Sequence, residues 1–255
     1  MSALADEFIE GQKADSLLAQ PNGSDFALFG KEGGSQSRVF WNLFSLDAGE
    51  LAGLPAAVSS RVIRKLCPGS LSHIHVEEVL ELCRRGSASK MLSLPGGTVS
   101  REYGRIVFGI GLAPAAEGFE PIQIPLGGAQ YSAVIPGLGL KVTCASVEHY
   151  GDEYGKINKS FSSFLFKTLD ICGRMTVRSR REGDSFRLLG RGHTKTLKKL
   201  FIERRVPAMV RPLIPVVSDD EGVLAVYGLG IGDRAVPAAG DHAVSVCFED
   251  IDREE

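Results

Sequence analysis

The chain has no run of about eighteen apolar residues, the length a helix needs to cross a bilayer. Its first residues, Met1-Ser2-Ala3-Leu4-Ala5-Asp6-Glu7, lack the basic start and apolar stretch of a secretory leader. Neither membrane insertion nor secretion is expected, and a cytoplasmic location follows. Cysteine is scarce: Cys67, Cys83, Cys144, Cys172 and Cys247 are odd in number and form no Cys-x-x-Cys pair. A complete disulfide framework is thereby excluded and a zinc knuckle is unsupported. Cys67, His73, His75 and Cys83 lie close in sequence, but two histidines two apart at a helix start face different ways, so no metal is expected. The five histidines are scattered without a defining motif, and no catalytic residue is assigned. What is plentiful is turn-forming residues. Thirty glycines and twelve prolines in 255 residues favour several short strands over a helical bundle. A hydrophobic fraction of 44% with 24% charged residues is ordinary globular composition, enough for one or two domains.

The net charge of −2 is an average over unlike parts. Between Arg174 and Arg211 stand twelve lysines or arginines against Glu182, Asp184 and Glu203, which is +9 in 38 residues and leaves −11 for the rest. A basic pole on an acidic body marks a surface for phosphate-rich polymers.

Periodicity organises the chain. Leu4, Phe8, Ile9, Leu17 and Leu18 suggest a weak connector helix ended by Pro21-Asn22-Gly23-Ser24. A helical stretch follows from Leu46 to Leu54, and Pro55 opens another carrying Val58, Val62, Ile63 and Leu66. Ser72 is the N-cap of a third helix with Val76, Val79, Leu80 and Leu82. Short strands are expected over 90–94 and 105–110, joined through Pro95-Gly96-Gly97, and a seam falls at 113–118. Beyond it, strands are expected over 130–135, 138–147, 163–170, 175–180, 214–217, 223–227 and 243–248. One helix interrupts them, with Thr194 as N-cap, Leu197, Leu200 and Phe201 as its apolar stripe and Pro207 as its stop.

In the basic segment, strand alternation puts Arg174, Thr176, Arg178 and Arg180 on one face while Met175 and Val177 point to the core. On the helix, 100° per residue places Lys195, Lys198 and Lys199 in one arc, with Arg205 at its edge. Guanidinium forks and mobile ammonium groups suit a phosphate backbone, and Arg181, Arg191 and Arg211 complete the candidate RNA-binding set. The bland reading is a solvated face, against which stands the shortage of acids for i,i+4 pairing. Gly190-Arg191-Gly192-His193-Thr194-Lys195-Thr196 ends like a P-loop but has threonine where the loop needs glycine. Gly228-Leu229-Gly230-Ile231-Gly232 is a glycine-rich strand end, because Asp233 to Pro237 cannot open a long helix.

Three ordered stretches resemble a known family: Val177-Arg178-Ser179-Arg180-Arg181-Glu182-Gly183-Asp184-Ser185-Phe186, then Thr196 to Pro207, then Arg211-Pro212-Leu213-Ile214-Pro215-Val216-Val217. They resemble the C-terminal domain of bacterial tRNA(Ile)-lysidine synthetases. Upstream, Leu51 to Pro55, Ser60 to Arg64, the helix from His75 to Leu82, and Leu94 to Gly97 through Arg101-Glu102-Tyr103 resemble the middle domain of the same enzymes. The resemblance implies binding of an isoleucine tRNA, whose wobble cytidine an N-terminal ATP-pyrophosphatase domain adenylates before lysine displaces AMP. That domain carries a Ser-Gly-Gly-x-Asp-Ser loop, and the lookalike here is Glu32-Gly33-Gly34-Ser35-Gln36-Ser37, with Glu and Gln in place of Ser and Asp. The resemblance therefore implies the tRNA-binding part without the catalytic domain. This chain would hold no cofactor, while ATP, magnesium and lysine would belong to the catalytic domain, a partner in the same or a separate chain.

The expected fold is α+β: a connector over 1–37, a mainly helical middle domain with a small β-ribbon over 38–112, and a β-rich C-terminal domain with one basic helix over 113–255. Two rival functions are a protein-interaction module docking its basic segment on an acidic partner and an enzyme with its own site.

Overall fold

The computed structural model describes residues 2–13, 42–67, 69–85, 90–110, 118–127, 130–135, 137–147 and 161–251. The Pro21–Ser24 helix stop, the Glu32–Ser37 lookalike and residues 113–117 of the expected seam lie outside them. The chain divides into two compact units: Met1–Phe26, Trp41–Ala116 and Arg204–Val210 form the first, and Ala27–Phe40, Glu117–Glu203 and Arg211–Glu255 the second. No helix among the described residues is long and apolar enough to cross a membrane.

The first unit contains α1 (Ser2–Lys13), β1 (Asn42–Asp47), α2 (Ala48–Gly53), α3 (Ala56–Leu66), α4 (His73–Arg84), β2 (Met91–Leu94), β3 (Gly97–Glu102) and β4 (Arg105–Ile110). The strands make one antiparallel sheet in the order β1-β4-β3-β2. Caps explain where its helices begin. The Asp47 side chain accepts from Glu50 N at 2.9 Å, which ends β1 and starts α2 inside the stretch expected to be helical from Leu46. Ser72 Oγ accepts from His75 N, and His75 Nδ1 accepts from Ser72 N at 3.2 Å, a reciprocal cap that gives His75 a structural task. Apolar residues at helical spacing on α3 and α4 (Val62, Ile63, Val79, Leu80) bury against Val99, Ile106 and Phe108 of the sheet. The segment expected to be a connector contributes to this core: Ala5 of α1 is fully buried, with Phe8 and Ile9 packed on the cluster.

The small ribbon expected here is instead a four-stranded sheet. Its hidden members had misleading signals, since Gly97 reads as a turn residue yet opens β3, and Leu46 reads as helical yet pairs with Ile106. Gly69 has a steric reason, because a Cβ there would collide with the Pro95 carbonyl.

The second unit is β-rich. It holds β5 (Ile122–Ile124), β6 (Tyr131–Ile135), β7 (Leu140–Val147), β8 (Ser163–Lys167), β9 (Met175–Arg178), β10 (Ser185–Phe186), β11 (Lys195–Thr196), α5 (Leu197–Glu203), β12 (Val216–Ser218), β13 (Val223–Val226), β14 (Gly230–Ile231) and β15 (Ala243–Asp250). One antiparallel sheet runs β14-β13-β12-β9-β5, a second runs β6-β7-β15-β8, and β10 pairs with β11. Tyr227, following β13, meets Phe248 of β15 edge-on at 5.1 Å between centroids, and Phe248 meets Phe164 of β8 at 6.3 Å. Both sheets thus feed one aromatic core. The α+β class expected from the sequence is what the chain adopts.

Candidate nucleic-acid interface

β9 is an interior strand, and that decides the fate of its arginines. It lies between β12 and β5, with Val177 opposite both Val217 and Ile122. The expected alternation holds on the core side, where Met175 and Val177 are fully buried. The other face is not open. Arg178 is only 6% exposed, and its guanidinium grips the Asp184 carboxylate through Nη1 at 2.7 Å and Nη2 at 2.9 Å. Nε donates to Ser218 Oγ at 3.0 Å and Nη1 also donates to the Ser179 carbonyl at 3.0 Å. Each guanidinium nitrogen is thus occupied by protein, so the placing of Arg178 in an exposed phosphate-binding row is corrected. The cause is the turn after β9: Gly183, at φ 85°, folds Asp184 back over the strand, where Asp184 also accepts from Arg181 N at 2.6 Å.

The remaining members of the row differ among themselves. Arg174 is exposed, with Nε 3.9 Å from Asp220. Arg180 is half-buried, and its buried Nε has no hydrogen-bond partner among the described residues. Arg181 is exposed, and so is Arg191, whose N–H closes a tight turn on the Leu188 carbonyl at 2.9 Å.

The helix needs a second correction. Lys195 belongs to β11 and not to α5; the cap is Thr196, whose Oγ1 accepts from Lys199 N at 3.3 Å, in place of Thr194. Lys195 Nζ is paired with Glu203 at 2.7 and 2.9 Å, and this ammonium holds the Glu203 carboxyl below the usual carboxylate range. The helical phase itself is as expected: Leu197, Leu200 and Phe201 are 1%, 7% and 0% exposed, while Lys198 and Lys199 face solvent with Ile202. Lys198 and Lys199 form no ion pair among the described residues, which leaves two neighbouring cations on one helix face. Arg211 is half-buried in a 3-10 turn over Ala208–Leu213. Arg205, in the first unit, is exposed at φ 52°, with its guanidinium over the Tyr103 ring 5.8 Å from the centroid.

Sequence reasoning overlooked the acids that reach the basic segment from outside it. Asp220 meets Arg174, and Asp233 forms an ion pair with Arg187. Nothing local announces these pairs, because β9 to β12 intervene between Arg174 and Asp220, and β11 to β14 between Arg187 and Asp233. It also overlooked the fully buried Asp219 side chain, gripped by Arg234 Nη1 at 2.7 Å and Nη2 at 2.5 Å and by the backbone N–H groups of Cys172, Glu221 and Gly222. Burial pushes this carboxyl up, but the Arg234 and backbone hydrogen bonds outweigh it and hold its pKa below the usual range. The Asp219-Asp220-Glu221-Gly222 run reads as a turn, which is its one visible signal.

By fold and site this is a two-unit α+β protein that presents a short lysine-bearing helix on a β-rich scaffold. The TilS substrate binding domain matches residues 46–107 and the TilS substrate C-terminal domain matches residues 175–247, so the chain belongs to the TilS family. It is 31% identical over 194 residues to the tRNA(Ile)-lysidine synthase of Geobacillus kaustophilus, covering 72% of this chain and 40% of that protein. It is 25% identical over 193 residues to the enzyme of the same name from Bacillus subtilis, covering 69% and 38%. A crystal structure of a TILS C-terminal domain aligns with 26% identity and a TM-score of 0.44, covering 52% of this chain and 99% of that one. The chain thus spans about 40% of the length of these curated relatives.

Proposed function

We propose that this chain binds tRNA through phosphate contacts and positions the wobble cytidine of an isoleucine tRNA for modification with lysine. In this reading the ATP-dependent chemistry belongs to a catalytic domain supplied by another segment or chain. The observation that carries it is α5, whose apolar stripe is fully engaged in the core while Lys198 and Lys199 stand exposed beside each other. Exposed lysines contribute little to stability, so this arrangement serves contact with an outside anion better than it serves the fold. Arg174, Arg180, Arg181, Arg191 and Arg211 extend the proposed surface on the second unit, where Lys195 is drawn to Glu203, and Arg205 offers a further cation on the first unit. Phosphate contacts position a nucleic acid without reading its sequence, which suits a module that presents a substrate to a separate active site.

The test is tRNA binding across a salt series, with heparin as competitor. Log affinity should fall with log salt at roughly −0.7 to −0.9 per phosphate contact. Lys198→Ala with Lys199→Ala should flatten the slope by about 1 to 2 and leave the thermal midpoint in place. An unchanged slope in a folded variant would move the surface elsewhere on the molecule. Retention of an acidic protein by the basic segment, with no tRNA binding at any salt, would replace this function by a protein-docking one.

A further inference from the structure

Two residues of the first unit adopt a backbone conformation that side chains avoid, and they meet. Tyr103 stands at φ 50° and Gly104 at φ 86° in the two-residue turn between β3 and β4, where Glu102 pairs with Arg105. Such turns favour Asn-Gly, because a bulky side chain at the first position is strained by its own Cβ. Arg205 also stands at φ 52°, again without glycine's freedom. Strain of this kind persists only where the surroundings enforce it, and it gathers at sites of function. Here buried neighbours enforce it on both sides. Glu102, 5% exposed, accepts from Ala208 N at 3.0 Å, and Val206 is fully buried. Yet the two side chains so held are themselves exposed, Tyr103 by 49%, with the Arg205 guanidinium over its ring.

We propose that Tyr103 and Arg205 form a stacking platform for an unpaired nucleobase of bound RNA. A guanidinium over a phenol ring brings a flat cation and an aromatic face together before any ligand arrives, which lowers the cost of ordering them against a base. Unpaired RNA bases bind proteins chiefly by stacking on aromatic rings and arginine planes, which tolerates any base because each has a π-face. The positive charge of Arg205 also suits the phosphate attached to the stacked nucleotide. This platform rests on the tRNA-binding reading above and adds to the lysines a contact of a different chemical kind.

The test separates ring from charge. Tyr103→Asn removes the ring and suits the turn better than tyrosine, so the hairpin stays folded. Its tRNA affinity should fall by about 5- to 160-fold, the range of one aromatic–base stack. The salt slope should not change, and affinity for a blunt-ended RNA duplex without unpaired bases should equal that of the wild type. Tyr103→Phe should retain tRNA affinity. In Tyr103→Trp, tRNA should quench indole emission beyond any change in the wild-type chain. Undiminished tRNA binding by Tyr103→Asn, or an equal loss on the duplex, would overturn the platform and leave the tRNA-binding reading standing. Absence of tRNA binding by the wild-type chain would overturn both.

Discussion

Replacing Arg178 by alanine should damage the fold before it says anything about RNA. The arginine and Asp184 side chains are only 7% and 10% exposed, and their bidentate pair is supported by Ser218 and Ser179. Removing the guanidinium strands a carboxylate whose other hydrogen bond comes from Arg181 N. Breaking a buried pair by deleting one partner costs about 3–5 kcal/mol. At roughly 2–4 °C per kcal/mol for a protein of this size, the thermal midpoint should fall by about 6–20 °C. The loss should spread to the helix, since the Asp184 carbonyl accepts from Leu197 N at 2.8 Å and so anchors the start of α5. Weaker tRNA binding should therefore track the unfolded fraction and vanish as an effect where the variant is fully folded. Arg178→Lys should recover only part of the midpoint, because one ammonium cannot reproduce the fork. Arg178→Met with Asp184→Leu should recover more, since it leaves no buried charge alone. Circular dichroism melts beside binding curves at low temperature make the measurement. A midpoint within about 2 °C of wild type, together with a salt slope reduced by about one contact, would show that Arg178 touches phosphate and refute the reasoning.

Phe201 is fully buried in the stripe of α5, so Phe201→Ala should cost about 3–5 kcal/mol in urea unfolding, whereas Ile202→Ala, at 44% exposure on the opposite side, should cost well under half of that. Asp219 should give the second unit an acid-labile step. Because its folded pKa lies below the ordinary value of 3.8, its contribution is complete above that value and is lost as pH falls through the folded pKa. Urea midpoints from pH 7 down to pH 2 should therefore fall less steeply for Asp219→Asn than for wild type, from a lower starting stability. Equal steepness would show that Asp219 titrates normally.

The local periodicities were legible where an element carries its own signal. The stripe Leu197-Leu200-Phe201 fixes the phase of α5, the Ser72 cap fixes the start of α4, and Met175 with Val177 fixes the core face of β9. Legibility failed where a short element depends on its neighbour. Lys195 sits on a two-residue strand that exists only because Ser185 and Phe186 lie beside it, and Gly97 opens a strand because Ile110 offers it a ladder. No periodicity can be measured over two residues, so the apparent lysine arc ran one element too far.

The α+β class, the basic character of the stretch from Arg174 to Arg211 and the family motifs within it are readable from the order of residues alone, because composition, alternation and helical spacing are properties of neighbours along the chain. Which of those cations are available to a ligand depends on how the folded chain surrounds them. Arg178 is neutralised by Asp184 through a turn at Gly183, and Lys195 by Glu203 across the whole of α5. Arg174 and Arg187 face acids contributed by chain that lies beyond intervening strands. Ion pairing depends on separation and burial in space. Strand order and turn geometry set both of these, and neither is written in the spacing of charges along the chain.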